Sequence, residues 1–444
     1  MSILKRFLTE DLAPLIRGRL TRAPRSPGAG ARDIEEDRNE ITHAKSSLNL
    51  NSGMKVVILN WKNGENDPFT VVSATIRQHF HDCGKNAEVI EISAGDWVAR
   101  LAELVPDGVE FAFTWQGFGS DTRIAEGGEN LWDLLKIPLI CIHGDHPSHT
   151  PACHQLESRY CFHLYTNAEF ARYSNRHFRR LRSATVIDIP QIHREPRLQS
   201  RAGEHFVFAK NINDPVDTER IWQERLAKPL FDMYMIAVEV LKSRIASESY
   251  VDIHDVLDDL IVERDFEWLV PAIDMAKYHK FHSQMDHYIR SHKSILTIAA
   301  LREFPIRIYG RGWDRIAQVA AASHVFEPAR DMADSQHLYY ARYGLIDISP
   351  AKGLHDRTRR AMANGGAFLS SANLEDSFAD IGRFDRLFFS FRTHEISEKC
   401  EAVLRDPEGH LGVAQEFATL YHNRFHFRDF VGKIDFLAKL ARPF

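Results

Sequence analysis

The stretch that decides the fold runs from residue 306 to residue 370. It contains IYGRGW (308–313) at the end of one apolar segment, LIDISP (345–350) as a second, GLHDR (353–357) before a helical pattern, and GGAFLS (365–370) after it. Two glycine-containing turns, in IYGRGW and GLHDR, each follow a predicted strand and begin a predicted helix. Free backbone N–H groups and the positive end of a helix dipole therefore lie where a phosphate can bind. The stretch predicts a nucleotide-handling α/β domain.

Short apolar segments separated by helical patterns occur along most of the chain. VVIL (56–59), PLICI (138–142) and FVFA (206–209) are typical of strands buried on both faces, and LFF (387–389) also resembles a strand. Such alternation predicts parallel sheets with helices on both faces. We therefore expect two doubly wound, Rossmann-like domains.

Changes in composition divide the chain into four predicted parts. Residues 1–53 form a tail, residues 54–200 a first Rossmann-like domain, and residues 201–425 a second with a helical insertion at 218–304. Residues 426–444 form a C-terminal helix that we expect to cross back to the first domain.

The tail itself has two compositions. Residues 1–24 combine apolar residues near helical spacing with a basic face, which is typical of a helix that contacts a membrane surface or a protein partner. We favour the plainer interpretation, which is a frayed helix docked on the body of the protein or simply a tail. Residues 25–52 are too poor in apolar groups to fold alone and are interpreted as a linker.

Composition excludes several classes of protein. The 444 residues carry a net charge of -5, so no whole-chain field attracts nucleic acid or anionic lipid, and no nucleic-acid partner is expected. Five cysteines, an odd number in a long chain, favour reduced thiols in a cytoplasm. No apolar run approaches the roughly 20 residues that span a bilayer. We predict a cytoplasmic protein, at most peripheral at the inner membrane.

The segment from residue 304 to the C-terminus resembles the CgeB-like (spore-maturation-type) glycosyltransferases of bacteria. The resemblance depends on IYGRGW, on DISP (347–350), on GLHDR and on AMANGGAFLS (361–370). In the N-terminal half it depends mainly on IPLI (137–140), which leads to DHP (145–147). It implies a GT-B fold, a nucleotide-sugar donor in the C-terminal domain, and catalysis without a metal or other cofactor.

One position departs from the family pattern. These relatives usually carry a glutamate ahead of the AMAxG-type segment, where it binds the donor ribose, whereas this chain has Arg360 after Arg359. A cation that only donates hydrogen bonds replaces a carboxylate that accepts them. An acidic donor, such as a CMP-activated ulosonic acid, therefore becomes more plausible than a neutral UDP- or GDP-sugar. The alternatives are that Arg360 faces solvent, or that donor binding has been lost.

The predicted donor site gathers residues from three strand ends of the second domain. Arg357 has the forked charge that suits a phosphate or carboxylate. Each candidate also has a purely structural alternative: Gly310 and Gly312 as a tight turn, Asp356 as an N-cap, and Lys210 as a solvated side chain. The predicted donor-binding residues are Lys210, Asn211, Gly310, Arg311, Gly312, Trp313, Ser349, Gly353, His355, Asp356, Arg357 and Arg360.

A second dense group of polar residues lies between residues 143 and 154. We predict that Asp145, or a neighbouring histidine, His143 or His146, faces the cleft as the general base of an inverting transfer. Zinc is the alternative, because His149, Cys153 and His154 are also close in sequence. No pair has a recognised structural-zinc spacing, so no metal ligand is assigned.

Aromatic and amide side chains at another strand end suggest where an acceptor binds. Trp115 and Gln116 end the apolar segment FAFTW (111–115) and offer a stacking surface and a hydrogen-bonding amide, although an aromatic plug in the core is the alternative. We expect a glycosyltransferase that moves a sugar from a nucleotide-activated donor to a glycan, lipid or protein. The rival hypotheses are a GT-B nucleotide-sugar hydrolase or epimerase, and a non-catalytic binding module on a degenerate scaffold.

Overall fold

The chain forms two parallel β-sheets flanked by helices, in a computed structural model that describes the following residues: 54–62, 68–124, 128–154, 158–178, 184–190, 203–266, 274–316, 321–329, 338–339, 341–375, 377–378, 380–392 and 394–441. The predicted tail, with its amphipathic segment, lies outside the described residues.

The first sheet has six parallel strands in the order β2-β1-β3-β4-β5-β6. They are β1 (Lys55–Asn60), β2 (Asn86–Glu91), β3 (Val109–Trp115), β4 (Leu139–His143), β5 (Cys161–Tyr165) and β6 (Ala184–Val186). Its central strands β3, β4 and β5 are short, mainly apolar and almost completely buried, as expected where helices cover both faces of a sheet. The helices around it are α1 (Pro68–Asp82), α2 (Trp97–Leu104), α3 (Leu131–Leu135) and α4 (Ala168–His177).

The second sheet has five parallel strands in the order β11-β10-β7-β8-β9. They are β7 (Phe206–Ala209), β8 (Ile306–Tyr309), β9 (His324–Glu327), β10 (Gly344–Asp347) and β11 (Phe368–Ser370). The predicted helical insertion is confirmed between β7 and β8: α5 (Pro215–Arg225), α6 (Lys228–Ser247), α7 (Ile253–Glu263) and α8 (Met275–Ala300). The helix after β10 is α9 (Asp356–Ala363), and α10 (Glu395–Arg405) and α11 (Pro407–Arg424) follow β11.

The last helix, α12 (Phe427–Ala441), packs on the first sheet although it follows the second in sequence. Its apolar face, including Phe430 and Ile434, belongs to the same buried cluster as Val56 and Phe111. An ion pair between Lys85 and Asp435 fixes the contact, with Nζ and Oδ1 2.6 Å apart. The first domain therefore depends on both ends of the described chain for its core.

One predicted strand is wrong. Residues Ile381–Leu387 form a 3-10 helix, and the segment 387–389 contributes only an isolated bridge between Ser370 and Phe388. The segment meets β11 at a single point, where the backbone N–H of Phe389 donates to the Ser370 carbonyl at 3.0 Å. Its apolar character arises mainly because Leu387 and Phe388 pack into the core around Phe417. None of the described helices is long and apolar enough to cross a membrane.

Candidate functional site

A cavity of about 290 Å³ lies between the two sheets and is lined from both domains. Trp115 ends β3, Asp145 follows β4 and Ser349 follows β10, so the cavity lies at the carboxyl ends of both sets of strands. This is the edge at which open α/β sheets bind ligands. The other lining residues are Phe69, Val72, Gln116, Gly144, Thr166, Asn167, Ile189, Pro190, Pro350, Gly353, Leu354, His355, Asp356, Arg359 and Arg360.

Asp145 provides an exposed carboxylate on the first-domain wall. Its Oδ2 accepts a hydrogen bond from Nε2 of Gln116 at 2.9 Å. Gln116 has a left-handed backbone conformation with φ 54°, which turns the chain sharply at the end of β3. The turn brings the amide beside Asp145 although the two residues lie on different strand ends. Asp145 therefore has a fixed orientation and remains open to a ligand.

The two histidines predicted beside Asp145 do not line the cavity. His143 is fully buried, and its Nε2 lies 2.9 Å from Nδ1 of His163. His146 is also fully buried; it accepts a hydrogen bond from the backbone N–H of Ser148, and its ring stacks on His254 with the centroids 3.3 Å apart. Burial lowers the pKa of both imidazoles well below the usual range. Of the three predicted bases, only Asp145 faces the cavity.

Trp115 lines the cavity and also packs in the core. Its side chain meets Phe113 edge-to-face at 5.5 Å, and the residue is only 8% exposed. Its indole Nε1 has no hydrogen-bond partner within the described part of the chain. A buried donor without a partner costs free energy, which a hydrogen-bond acceptor on a ligand would recover.

The opposite wall is the start of α9, which Asp347 organises from the end of β10. The carboxylate is 1% exposed and accepts hydrogen bonds from Arg357 Nε at 3.1 Å and Thr358 Oγ1 at 2.8 Å. His355 Nδ1 lies 3.3 Å from its second oxygen. His355, not Asp356, is the N-cap residue, since its side chain accepts from the backbone N–H of Arg357. The structural alternative for Asp356, that it is only the N-cap, is therefore excluded: Asp356 is the first residue of α9 and lines the cavity.

The charges at this helix start shift one another's pKa values. Burial raises the pKa of Asp347, but Arg357 and His355 outweigh burial and hold it well below its usual range. Burial and Arg357 lower the pKa of His355, but the carboxylates of Asp356 and Asp347 outweigh both and raise it. The group is a compact set of paired charges at the positive end of a helix.

Arg360 faces the cavity and not the solvent, which excludes the hypothesis of a solvated side chain. The residue is 6% exposed, and its Nη2 lies 3.1 Å from Oδ2 of Asp356, one helical turn earlier. Arg359 lines the same wall. The position at which the CgeB-like pattern has a carboxylate is thus occupied in this chain by a guanidinium whose charge is already partly compensated.

The predicted glycine loop, residues 310–313, has a structural role next to this site. None of these residues lines the cavity. A Cβ on Gly310, which has φ +151°, would lie 2.1 Å from the carbonyl oxygen of Lys210, so no larger residue fits. Gly312 is equally close to a backbone carbonyl. The Asn211 side chain accepts from the backbone N–H of Arg311, and Trp313 Nε1 donates to the Lys210 carbonyl. These contacts join the ends of β7 and β8.

Lys210 follows β7 and also lies outside the cavity lining, and its ammonium is close to charges of both signs. Burial, together with the guanidinium groups of Arg357 and Arg290, outweighs the carboxylates of Asp347 and Asp286 and lowers the pKa of Lys210 to about 7. No described carboxylate lies within ion-pair distance of its Nζ. An anion bound here would stabilise the charged form of Lys210.

Sequence reasoning missed the contribution of the helical insertion. Asp286 of α8 is buried and pairs with Arg290 one turn later and with His149 of the first domain, at 2.6 and 2.8 Å. On the other side of the interface, the Asn167 side chain accepts from the backbone N–H of Gly353. The only sequence signal for Asp286 and Arg290 was their i,i+4 spacing, which is common on helix surfaces.

Two parallel α/β domains that face each other across this cavity define the GT-B class of fold, as predicted. No protein-family model matches the sequence, and no curated protein matches it.

Solved structures of similar fold include the T4 phage enzyme BGT in complex with its substrate UDP-glucose, with 8% identity, TM-score 0.45, and 86% of this chain and 99% of that chain covered. A structure described as the DNA modifying enzyme β-glucosyltransferase has 9% identity and TM-score 0.44 at the same coverage. T4 phage BGT with UDP and Mn²⁺ has 10% identity and TM-score 0.46, again at the same coverage. These values describe a distant likeness in chain arrangement and say nothing about activity.

One expectation needs correction. We expected neither a metal nor another cofactor, because the resemblance implied catalysis without one. The T4 phage structure that holds UDP together with Mn²⁺ contradicts this expectation as a property of the fold. Within the described residues, His143, His154 and His163 form the one cluster of potential metal ligands.

Proposed function

We propose that the protein is a glycosyltransferase that moves a sugar from a nucleotide-activated donor to a glycan, lipid or protein acceptor. The observation that carries the proposal is the cavity between the domains. A free carboxylate, Asp145, lies on one wall, and the start of α9 with Arg359 and Arg360 forms the other. Transfer needs both a group that takes the acceptor proton and positive charge that stabilises the leaving phosphate.

In the proposed mechanism, Asp145 accepts the proton of the acceptor hydroxyl as that oxygen attacks the anomeric carbon. The sugar–phosphate bond breaks, and its electrons pass to the departing nucleotide. Attack from the side opposite the leaving group inverts the anomeric configuration. Gln116 holds Asp145 in place through its 2.9 Å hydrogen bond. Helix α9, with Arg359 and Arg360 in the cavity wall, stabilises the negative charge that develops on the phosphate.

The division of labour between domains is part of the same proposal. Residues 54–200 would hold the acceptor and the base, and residues 201–425 the donor. The choice between a neutral hexose donor and an acidic one, and membership of the CgeB-like group, remain predictions. Arg359 and Arg360 in the cavity wall support an anionic ligand, although Asp356 offsets one of the two charges.

A nucleotide panel tests the donor half of the proposal. Calorimetric titration of the full chain with UDP, GDP, dTDP and CMP, with and without Mn²⁺, should identify one preferred nucleotide. A ligand that binds only the folded state must also raise the unfolding temperature. Binding of none of them would support the degenerate-scaffold hypothesis and refute the proposal.

The base is tested by Asp145→Asn. We expect turnover to fall by roughly 10² or more with unchanged nucleotide affinity, because the change removes only the proton acceptor. Asp96→Asn is the matched control: Asp96 is an exposed carboxylate of the same domain whose side chain makes no cap hydrogen bond. Product analysis with and without acceptor separates transfer from hydrolysis. Full activity of the Asp145 variant would reassign the base.

A further inference from the structure

Three buried imidazoles meet beneath the loop that carries Asp145. His143 ends β4, His163 lies on the neighbouring strand β5, and His154 ends the 3-10 turn Pro151–His154. Their exposed fractions are 0%, 1% and 1%. Three histidines at one point in a protein interior need a reason, because an apolar residue would fill the same space without burying polar nitrogen atoms.

The ring nitrogens have the spacing of metal ligands. One nitrogen from each residue can be chosen so that all three lie within 4.8 Å of one another. The closest pair, His143 Nε2 and His163 Nδ1, is 2.9 Å apart. Two imidazole nitrogens on a tetrahedral zinc ion, each at about 2.0–2.1 Å, are about 3.3 Å apart. The pair needs to open by only a few tenths of an ångström.

Hydrogen bonds within the described part of the protein do not satisfy every ring nitrogen of these three histidines. His154 Nδ1 lies 2.7 Å from the hydroxyl of Tyr165, but His154 Nε2 has no hydrogen-bond partner among the described residues. A buried polar atom without a partner destabilises the folded chain, and coordination to a metal would relieve that cost. The contact from Tyr165 also resembles the outer-shell hydrogen bond that orients a ligating histidine. His154 therefore has one nitrogen held in place and the other available.

The donor set selects the ion. Three neutral imidazoles suit Zn²⁺ or a related late transition metal, whereas Mg²⁺, Ca²⁺ and Mn²⁺ prefer oxygen ligands. The other histidine cluster, around His146 and His254, differs because Asp258 and Asp286 already pair with its members. We propose that His143, His154 and His163 bind one Zn²⁺ ion, which fixes the loop that carries Asp145 to strands β4 and β5 of the first sheet.

Metal analysis of the full chain tests this site without reference to catalysis. After metal removal, reconstitution with Zn²⁺ and desalting, the protein should retain about one zinc per chain. His154→Gln and His163→Gln should each lose most of it. His410→Gln is the matched control, because His410 is equally buried but lies in the second domain beside the carbonyl of Phe368. Retention of zinc by both site variants, or none in the wild type, would overturn the proposal.

X-ray absorption at the zinc edge of the wild-type protein keeps the test decisive if a variant fails to fold. Scattering from imidazole nitrogens supports the site. A first shell dominated by sulfur would assign the metal to cysteines instead and refute it. Zinc should also raise the unfolding temperature in a concentration-dependent way. Nucleotide binding is not part of this test, so its failure and the failure of the proposed transferase function are distinguishable.

Discussion

Replacement of Asp347 by asparagine should be strongly destabilising, because this carboxylate is the buried anchor of the start of α9. It accepts from Arg357 and Thr358 and faces His355, and the residue is 1% exposed. Removing one partner of a buried ion pair costs about 3–5 kcal/mol, since the other charge remains without compensation. The Arg357 side chain is 22% exposed, so water compensates part of this cost. We therefore expect the free energy of unfolding to fall by about 2–4 kcal/mol.

The pH dependence of that effect follows from the pKa shift. The folded-state pKa of Asp347 lies below its unfolded value, so its contribution is fully present above the ordinary aspartate pKa of about 3.9 and is lost as the pH falls toward the folded value. The pKa of His355 is raised instead, so its contribution is present below about pH 6.5 and is lost as the pH rises through the folded pKa. The difference between wild type and variant should therefore be largest near pH 5–6.

Urea unfolding of both proteins between pH 4 and pH 8, followed by circular dichroism, provides the measurement. Asp232→Asn is the control: its ion pair with Lys228 is largely exposed and should contribute less than about 1 kcal/mol. Nucleotide affinity should fall in parallel if α9 forms the wall of the donor site, as we propose. If Asp347→Asn costs no more than the surface control, Asp347 does not anchor the helix start.

Three further changes test other parts of the site. Lys210→Met should stabilise the ligand-free protein by a few kcal/mol at pH 7 or below, because the folded-state pKa of about 7 penalises the charged lysine; this gain should vanish toward pH 10.5. The variant should also bind nucleotide more weakly, and unchanged affinity in calorimetry would remove Lys210 from the site. Trp115→Phe keeps an aromatic ring but loses the unpartnered indole N–H, so KM for the acceptor should rise with little change in unfolding temperature. An unaltered KM would mean that no substrate accepts a hydrogen bond from Trp115 Nε1. Gly310→Ala should lower the free energy of unfolding in urea by more than about 2 kcal/mol, because the new Cβ would overlap the Lys210 carbonyl. In the control Gly412→Ala, in α11, the Cβ would meet no atom within 4 Å, so this change should be neutral or stabilising by up to about 1 kcal/mol; equal effects would contradict the assigned role of Gly310.

The sequence allowed the fold class to be predicted because its signals are local. Apolar runs such as 56–59 and 206–209 form strands buried on both faces, and the helical passage between β7 and β8 has no competing strand pattern. The strand predicted at 387–389 was wrong because that prediction also depended on a local signal alone. A short apolar run has no period of its own, so a 3-10 turn packed against Phe417 gives the same pattern as a strand.

The site was harder to predict because its members meet through tertiary packing. Asp145 and Trp115 lie at strand ends, and the topology brings such positions together. His143 and His146 differ from Asp145 only by a few positions, yet both are buried, and the partners that explain them, His163 and His254, are distant in sequence. The role of Gly310 could not be predicted from sequence either. A glycine is required at this position because the Lys210 carbonyl lies too close for a side chain, and a glycine required by a bound phosphate would give the same motif.

The position of α12 has a consequence for biosynthesis. Phe430 and Ile434 complete the core that Val56 and Phe111 begin, so synthesis must proceed beyond residue 434 before that core can close. Until then, the nascent first domain exposes an apolar sheet face, which is a surface prone to aggregation. Deletion of residues 427–441 alone should therefore yield insoluble protein, whereas the same number of residues cut from a surface loop would be tolerated.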